Sequence, residues 1–234
     1  YIANGIARMG ADGIIVDGHG AGTGATPLVV RDNIGIPIEL AIASIDRALR
    51  NEGLRDKVTL IASGRVSTAD DAAKLIALGA DAVSLGTALL ISMGCVMART
   101  CHRGNCPAGI TSALIRGSKI VEYESARIHS RNFLIAFMKE LALILDYLGI
   151  NDIRKLVSKR DLLTGKCING ELAEILGVRN DDSCDDVKLI ASNGQLWSPD
   201  YLIYANQLSI KGSPIVVSMG STGPPEVDPP KEAP

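Results

Sequence analysis

Three short apolar runs, each followed by glycine and then by a stretch of helical periodicity, narrow the possible folds more than any other feature. They are residues 12–17 (DGIIVD), 58–62 (VTLIA) and 82–85 (AVSL). Their length and β-branching suit buried strands. Between the first two, Pro37 opens a helix in which Ile38, Ile42, Ile45 and Leu49 recur at helical spacing until Gly53. Between the last two, Ser67 or Thr68 caps a helix, with Asp70 and Asp71 three residues on in a capping-box arrangement. Ala72, Ala73, Ile76 and Ala77 face inward, and Gly79 stops that helix. Residues 1–10 read as the end of an earlier helix. This succession predicts an α/β fold with parallel strands and crossover helices. The scarcity of aromatics, 3% against 24 glycines, agrees with Ala-rich helices on Val/Ile/Leu strands.

The ends of these strands are chemically informative. The first opens into GHGAGTGATP, residues 18–27, where glycines allow positive φ angles and let backbone approach a ligand. Exposed amides in such a loop can hold an anion, although a plain flexible connection would look the same. The second and third strands end in Ser63-Gly64-Arg65 and Leu85-Gly86-Thr87. In β/α barrels a phosphate site is frequently built from the loops after the seventh and eighth strands and a helix N-terminus. The alternative is that these glycines only turn the chain.

A second constraint is the run CVMARTCHRGNCP, residues 95–107. Cys95, Cys101 and Cys106 lie six and five residues apart, close enough in sequence to converge on one soft metal centre. Zinc sites usually use paired C-x2-C hooks, and none is present. Pro107 directly after Cys106 matches the Cys-Pro step of ferredoxin-type runs, and three ligands suit a cluster one iron short of a cubane. Three small buried apolar residues are the plainer alternative. Cys167 and Cys184 lie far along the chain and read as structural or incidental thiols. An odd cysteine total of 5 favours a reducing, cytoplasmic setting. The net charge of −2 gives no electrostatic bias towards nucleic acid. No apolar run reaches the roughly 18 residues of a membrane span.

Beyond Pro107 the chain turns helical. Leu134, Phe137, Met138, Leu141, Leu145 and Leu148 form an apolar stripe ended by Gly149. Residues 150–165 carry a short helix, 171–176 another, and 189–190 a brief apolar run. Residues 213–234 are too rich in Pro and Gly to pack and are expected to be disordered. The expected organisation is therefore 1–115 with the cysteine loop at 94–107, a helical extension at 116–165, a small segment at 166–212, and the tail.

With these motifs in place, the chain resembles the synthase domain of the glutamate synthase large subunit, especially the archaeal type, from about residue 5 to residue 165. The family carries Gly-Cys, five residues, Cys-His, three residues, Cys-Pro. Those places hold Gly94-Cys95, Cys101-His102 and Cys106-Pro107. Gly18 to Pro27 is similar to the family's G-H-D-G-G-T-G-A-S-P, and Gly35 to Leu40 to its G-L-P-W-E-L. Gly20 stands where the family has an acidic residue, Ala21 where it has glycine, and Arg65 where the phosphate loop has a second glycine.

The resemblance implies the last three strands of a (β/α)8 barrel followed by a helical extension. It implies FMN held by Gly18, Gly22, Thr23, Gly24, Ser63, Gly64, Arg65, Gly86 and Thr87. It also implies a [3Fe–4S] cluster on Cys95, Cys101 and Cys106, with His19 and Glu39 near flavin and substrate. The implied reaction reduces the imine of 2-oxoglutarate and glutamine-derived ammonia to L-glutamate, with electrons from a donor subunit or ferredoxin. The remaining strands and a glutaminase would lie upstream or on another chain. An N-methylglutamate synthase-type subunit, a non-catalytic electron-transfer subunit and a structural zinc module are the other expectations.

Overall fold

The computed structural model describes residues 1–19, 21–22, 24–111, 120–166, 168–181 and 208–210. The expectations for Gly20, Thr23, Cys167, Cys184, residues 189–190 and the tail lie outside the described residues.

Strands β1 (Gly13–Asp17), β2 (Thr59–Ser63) and β3 (Ala82–Val83) form a parallel sheet in that order. Register runs from Gly13 beside Thr59 to Asp17 beside Ser63, and pairs Ile61 with Ala82. A helix precedes β1, namely α1 (Ile2–Arg8). Helix α3 (Ile38–Asn51) makes the crossover from β1 to β2, and α4 (Ala69–Leu78) the crossover from β2 to β3. Both pack on one face of the sheet, where Ile14, Leu60 and Ala62 meet Ile42, Leu49, Leu75 and Leu78 in the core. The other face is bare among the described residues, with Ile15 68% exposed. Parallel sheets are normally covered on both faces, so this exposure is unusual for such a strand.

Local chemistry explains the helix starts. Pro37 stands at the N-cap of α3. Thr68 caps α4 and Asp71 completes a reciprocal capping box, so of the two expected pairs only this one forms. Asp70 instead makes a buried ion pair with Lys74 at 3.1 Å. A short α2 (Leu28–Asn33) follows Pro27, in a stretch for which the sequence predicted no element. Helix α5 (Thr87–Ser92) follows Gly86. The long α6 (Tyr123–Tyr147) begins eleven residues before the apolar stripe and is capped by the Glu122 carboxylate. It packs across α4 and α5 through its buried Phe137 and Leu141.

The segment after α6 is less helical than expected. Two 3-10 turns lead into β4 (Leu163–Lys166), which pairs parallel with β5 (Arg179–Asp181) and antiparallel with β6 (Leu208–Ile210). Helix α7 (Gly170–Leu176) lies between β4 and β5, where residues 171–176 predicted a helix. Apolar packing through Leu163, Ile168 and Leu176 and one buried carboxylate dock this small unit on the parallel sheet's helices. Asp46 of α3 is 1% exposed and accepts from Arg55 at 2.8 Å, Arg160 at 2.9 Å and Arg50 at 3.1 Å. Arg160 also donates to the carbonyls of Ala43, Leu78 and Leu176, tying α3, α4 and α7 together. Three guanidinium groups on one buried carboxylate satisfy the charge that burial alone would make prohibitive.

Candidate functional site

The loops after β1 and β2 meet at the carboxyl end of the parallel sheet. Gly18, just past β1, donates its N–H to the Ser63 carbonyl at 2.9 Å, extending the ladder by one residue. A Cβ on Gly18 would lie 2.5 Å from Ile38 Cβ and 2.8 Å from Ile38 Cα, so no side chain fits between this loop and the start of α3. A Cβ on Gly64 would lie 3.0 Å from the Gly18 nitrogen. The backbones after β1 and β2 are thus in direct contact, and Gly18 is fixed by close approach.

Gly64 has φ +110° and Arg65 has φ +58°. Arg65 is exposed. Its left-handed backbone explains why the resembling family places glycine there: the position demands a conformation that L side chains resist. None of the amides of Gly64, Arg65, Gly86 and Thr87 donates to another group among the described residues. Two adjacent strand ends therefore present unpaired N–H donors, the arrangement that receives an oxyanion such as a phosphate.

His19 is 8% exposed and held inside its own loop. Its backbone N–H donates to the Ile36 carbonyl at 2.7 Å, and ring Nδ1 lies 3.3 Å from the Ile34 carbonyl, within hydrogen-bond reach of it. These bonds shape the turn. Glu39, in the first turn of α3, is half-buried. Burial pushes its carboxyl up, its own backbone amide pulls it down, Asp71 adds to the rise and Lys74 opposes it. Its charged neighbours are thus Asp71 and Lys74 of α4.

Gly24 joins the glycine loop to the cysteine loop. A Cβ there would lie 2.7 Å from Arg99 Cα and 2.9 Å from Cys101 Sγ. Cys95, Cys101 and Cys106 are in no disulfide and are half-buried. Cys95 Sγ accepts from the Met97 amide at 3.4 Å. Burial pushes the Cys106 thiol up, but the amides of Thr111, Ile110 and Ala108 and the Thr111 hydroxyl outweigh it and bring it to about 7. A thiol so easily ionised has the donor chemistry a thiolate-bound cluster uses. Among the described residues, however, no group of three or more His, Cys, Asp or Glu side chains is arranged to hold a metal ion. The three sulfurs share one loop region without being drawn into a common centre.

Asp46 and Lys74 stood out in no sequence pattern. Their importance comes from burial and pairing, which a lone charged residue in a helix or loop does not advertise.

An α/β protein with glycine turns at adjacent parallel strand ends is of the class whose ligand sites lie outside the carboxyl ends of the strands. Residues 1–151 match the conserved region in glutamate synthase, and the chain belongs to the glutamate synthase family. It is 43% identical over 178 residues to an archaeal-type glutamate synthase [NADPH] of Dehalococcoides mccartyi, covering 76% of this chain and 36% of that one. It is 42% identical to the archaeal glutamate synthase [NADPH] of Methanocaldococcus jannaschii, covering 76% and 35%. A ferredoxin-dependent glutamate synthase of Cyanidium caldarium is 34% identical over 162 residues, 69% of this chain and 10% of that one. The chain thus spans about a third of the length of its archaeal-type relatives. A point mutant of flavocytochrome b2 with benzoylformate overlays with a TM-score of 0.46 at 17% identity, covering 68% of this chain and 31% of that one. No described helix is long and apolar enough to cross a membrane.

Proposed function

We propose that this chain carries part of the synthase site of a glutamate synthase, where FMN-dependent reduction of the imine of 2-oxoglutarate and ammonia gives L-glutamate. The observation that carries this reading is the set of unpaired amides at Gly64, Arg65, Gly86 and Thr87, in a chain of this family. Bound FMN supplies hydride chemistry. In this reading the four amides supply the N–H dipoles for its phosphate, so that no charged side chain is needed. Gly18 lets the first loop lie flat against Gly64 and Ile38, so that the cradle keeps its shape when the ligand leaves. His19, locked by the Ile34 and Ile36 carbonyls, fixes the path of the glycine loop.

The bare sheet face supports the barrel reading. Ile15 would be covered by further strands closing a β/α barrel, in which β1 to β3 are the last three. Cys95, Cys101 and Cys106 supply suitable donors for a [3Fe–4S] cluster, and holding one requires the loop to draw the sulfurs together. The electron donor is a partner subunit or ferredoxin in this reading, and glutamine is the source of ammonia.

The test is anaerobic incubation of the intact flavin-loaded protein with 2-oxoglutarate, ammonia and a chemical reductant. Glutamate should form, and methylamine should yield little N-methylglutamate. Preference for methylamine would move the protein to the N-methylglutamate synthase type. No amino-acid product from either amine, with flavin bound, would overturn the reading.

A further inference from the structure

The side chains on the uncovered face of the parallel sheet fall into rows. Along β1 exposure alternates, so that Gly13, Ile15 and Asp17 lie on the bare face while Ile14 is buried on the other. Along β2, Leu60 and Ala62 are buried beneath the helices, which leaves Thr59, Ile61 and Ser63 on the bare face. Register sets Gly13 beside Thr59, Ile15 beside Ile61 and Asp17 beside Ser63. Ala82 pairs with Ile61, and the Ser84 N–H donates to the Ala62 carbonyl at 2.8 Å, which carries the alternation one residue past β3. Ile15, Ile61 and Ala82 thus make an apolar row. Beyond it, at the carboxyl ends of the strands, Asp17, Ser63 and Ser84 make a polar one.

This polar row is unsatisfied. Neither the Asp17 carboxylate nor the hydroxyls of Ser63 and Ser84 have a hydrogen bond or ion pair among the described residues. Other carboxylates of the fold differ: Asp46 holds three guanidinium groups, Asp70 pairs with Lys74, and Asp81 pairs with Arg55. In open solvent an unpaired carboxylate is unremarkable. Here further strands closing the barrel would enclose Asp17, and an enclosed charge requires a hydrogen-bonding partner. Position adds a second constraint. Asp17 and Ser63 are each the last residue of their strand, directly before Gly18 and Gly64, and Ser84 lies two before Gly86. In β/α barrels the reacting groups come from the ends of several strands at this face. Neighbouring strands lie about 4.8 Å apart, so the row spans roughly 10 Å beside the loops that carry the cradle amides.

We propose that Asp17, with Ser63 and Ser84 beside it, receives the pyrimidine edge of the flavin ring and holds its reduction potential down. An ionised carboxylate only accepts hydrogen bonds, whereas a hydroxyl also donates. The pyrimidine edge of a flavin offers one N–H between two carbonyl oxygens, the complementary set. The ring is tethered to the phosphate, so a phosphate at the ends of β2 and β3 brings it within reach of this row. The dianion 2-oxoglutarate is the poorer occupant, because Asp17 repels it. Reduction builds negative charge on the same edge of the ring, so an adjacent carboxylate disfavours it. The inference rests on the reading of the cofactor given above and adds the residue that sets its potential.

The test is anaerobic reductive titration of the intact flavin-loaded protein, followed by flavin absorbance against a redox dye, in wild type, Asp17→Asn, Asp17→Ser and Asp12→Asn. Flavin content, iron content and thermal midpoint are measured on the same samples. A unit charge in contact with the ring, at the effective dielectric of protein sites, changes the oxidised-to-reduced ratio about tenfold or more. Both Asp17 variants should therefore raise the flavin midpoint by about 30 mV or more, the two-electron equivalent of that tenfold change. Asp12 carries the same charge at the amino end of the same strand, about 16 Å away, and Asp12→Asn should leave the midpoint unchanged. A ratio altered less than about twofold by both Asp17 variants overturns the inference while the functional reading stands. An equal rise in Asp12→Asn also overturns it, since net charge alone would then be the cause. A lowered thermal midpoint without a change in potential, or failure of both Asp17 variants to fold or to take up FMN, would make Asp17 a structural residue and overturn it too. If wild type takes up no FMN, the functional reading fails first.

Discussion

Replacing Gly18 by alanine tests the geometry on which the site depends. The new Cβ would lie 2.5 Å from Ile38 Cβ and 2.8 Å from both the nitrogen and Cα of Ile38. Two of these are backbone atoms at the first residue of α3, which is itself packed in the core through Ile38 and Ile42. No rotamer change can relieve the contact, so either the loop or the helix must shift. Overpacking with backbone movement costs about 1–3 kcal/mol, and the upper end applies because the obstruction is backbone. At about 2–4 °C per kcal/mol for a chain of this size, Gly18→Ala should lower the thermal midpoint by roughly 6–12 °C. It should also reduce bound flavin, because the Gly18 amide and the Ser63 carbonyl hold the first loop beside Gly64. Gly86→Ala is the matched control: nothing lies within 4 Å of its Cβ position, so stability should stay within about 0.5 kcal/mol of wild type. Differential scanning fluorimetry and released-flavin absorbance on both variants decide the matter. A Gly18→Ala protein as stable as Gly86→Ala and as yellow as wild type would refute the close-approach argument.

Arg65→Gly removes a left-handed side chain, a relief of about 1–2 kcal/mol offset by about 0.4–1 kcal/mol of unfolded-state entropy. The thermal midpoint should rise by a few degrees, and flavin content should hold if the amides, not the guanidinium, carry the phosphate. Asp46→Asn leaves Arg50, Arg55 and Arg160 facing a neutral amide, and breaking such a buried set should cost about 3–5 kcal/mol, read as a large fall in thermal midpoint. In protein stripped of iron, Cys106 should be alkylated by iodoacetamide with a half-maximal rate near pH 7, about 7 being its lowered value, where an ordinary thiol needs about pH 8.5 or above. The amides and Thr111 favour the thiolate, so Thr111→Val should move that midpoint upward; peptide mass spectrometry of the modified chain reports both.

The β–α succession was legible because its strands are short, β-branched and flanked by glycine, and the capped helix at Thr68 followed from a local rule. The second sheet was not, because β4 (LTGK) and β5 (RND) have neither alternation nor apolar length. The unit that holds them is tied to the rest of the chain by Arg160 reaching back to Asp46, 114 residues earlier, a long-range contact invisible to any window along the sequence. Part of the candidate site was legible for a related reason. Glycines that close approach or positive φ requires, such as Gly18 and Gly64, announce themselves as glycines. Arg65 hides the same requirement behind a side chain. His19 and Glu39 attracted attention by residue type alone, yet His19 is tied to loop carbonyls and Glu39 looks towards Asp71 and Lys74.

Two strand ends with vacant amide donors are the centre of this account, and the flavin carried by the intact protein reports on them most directly. Anaerobically purified protein should release one FMN per chain on denaturation. Gly64→Val, which crowds the Gly18 backbone and burdens a φ of +110°, should release far less. Wild-type protein free of FMN and unable to take it up, or a Gly64→Val protein fully loaded with it, would contradict the account.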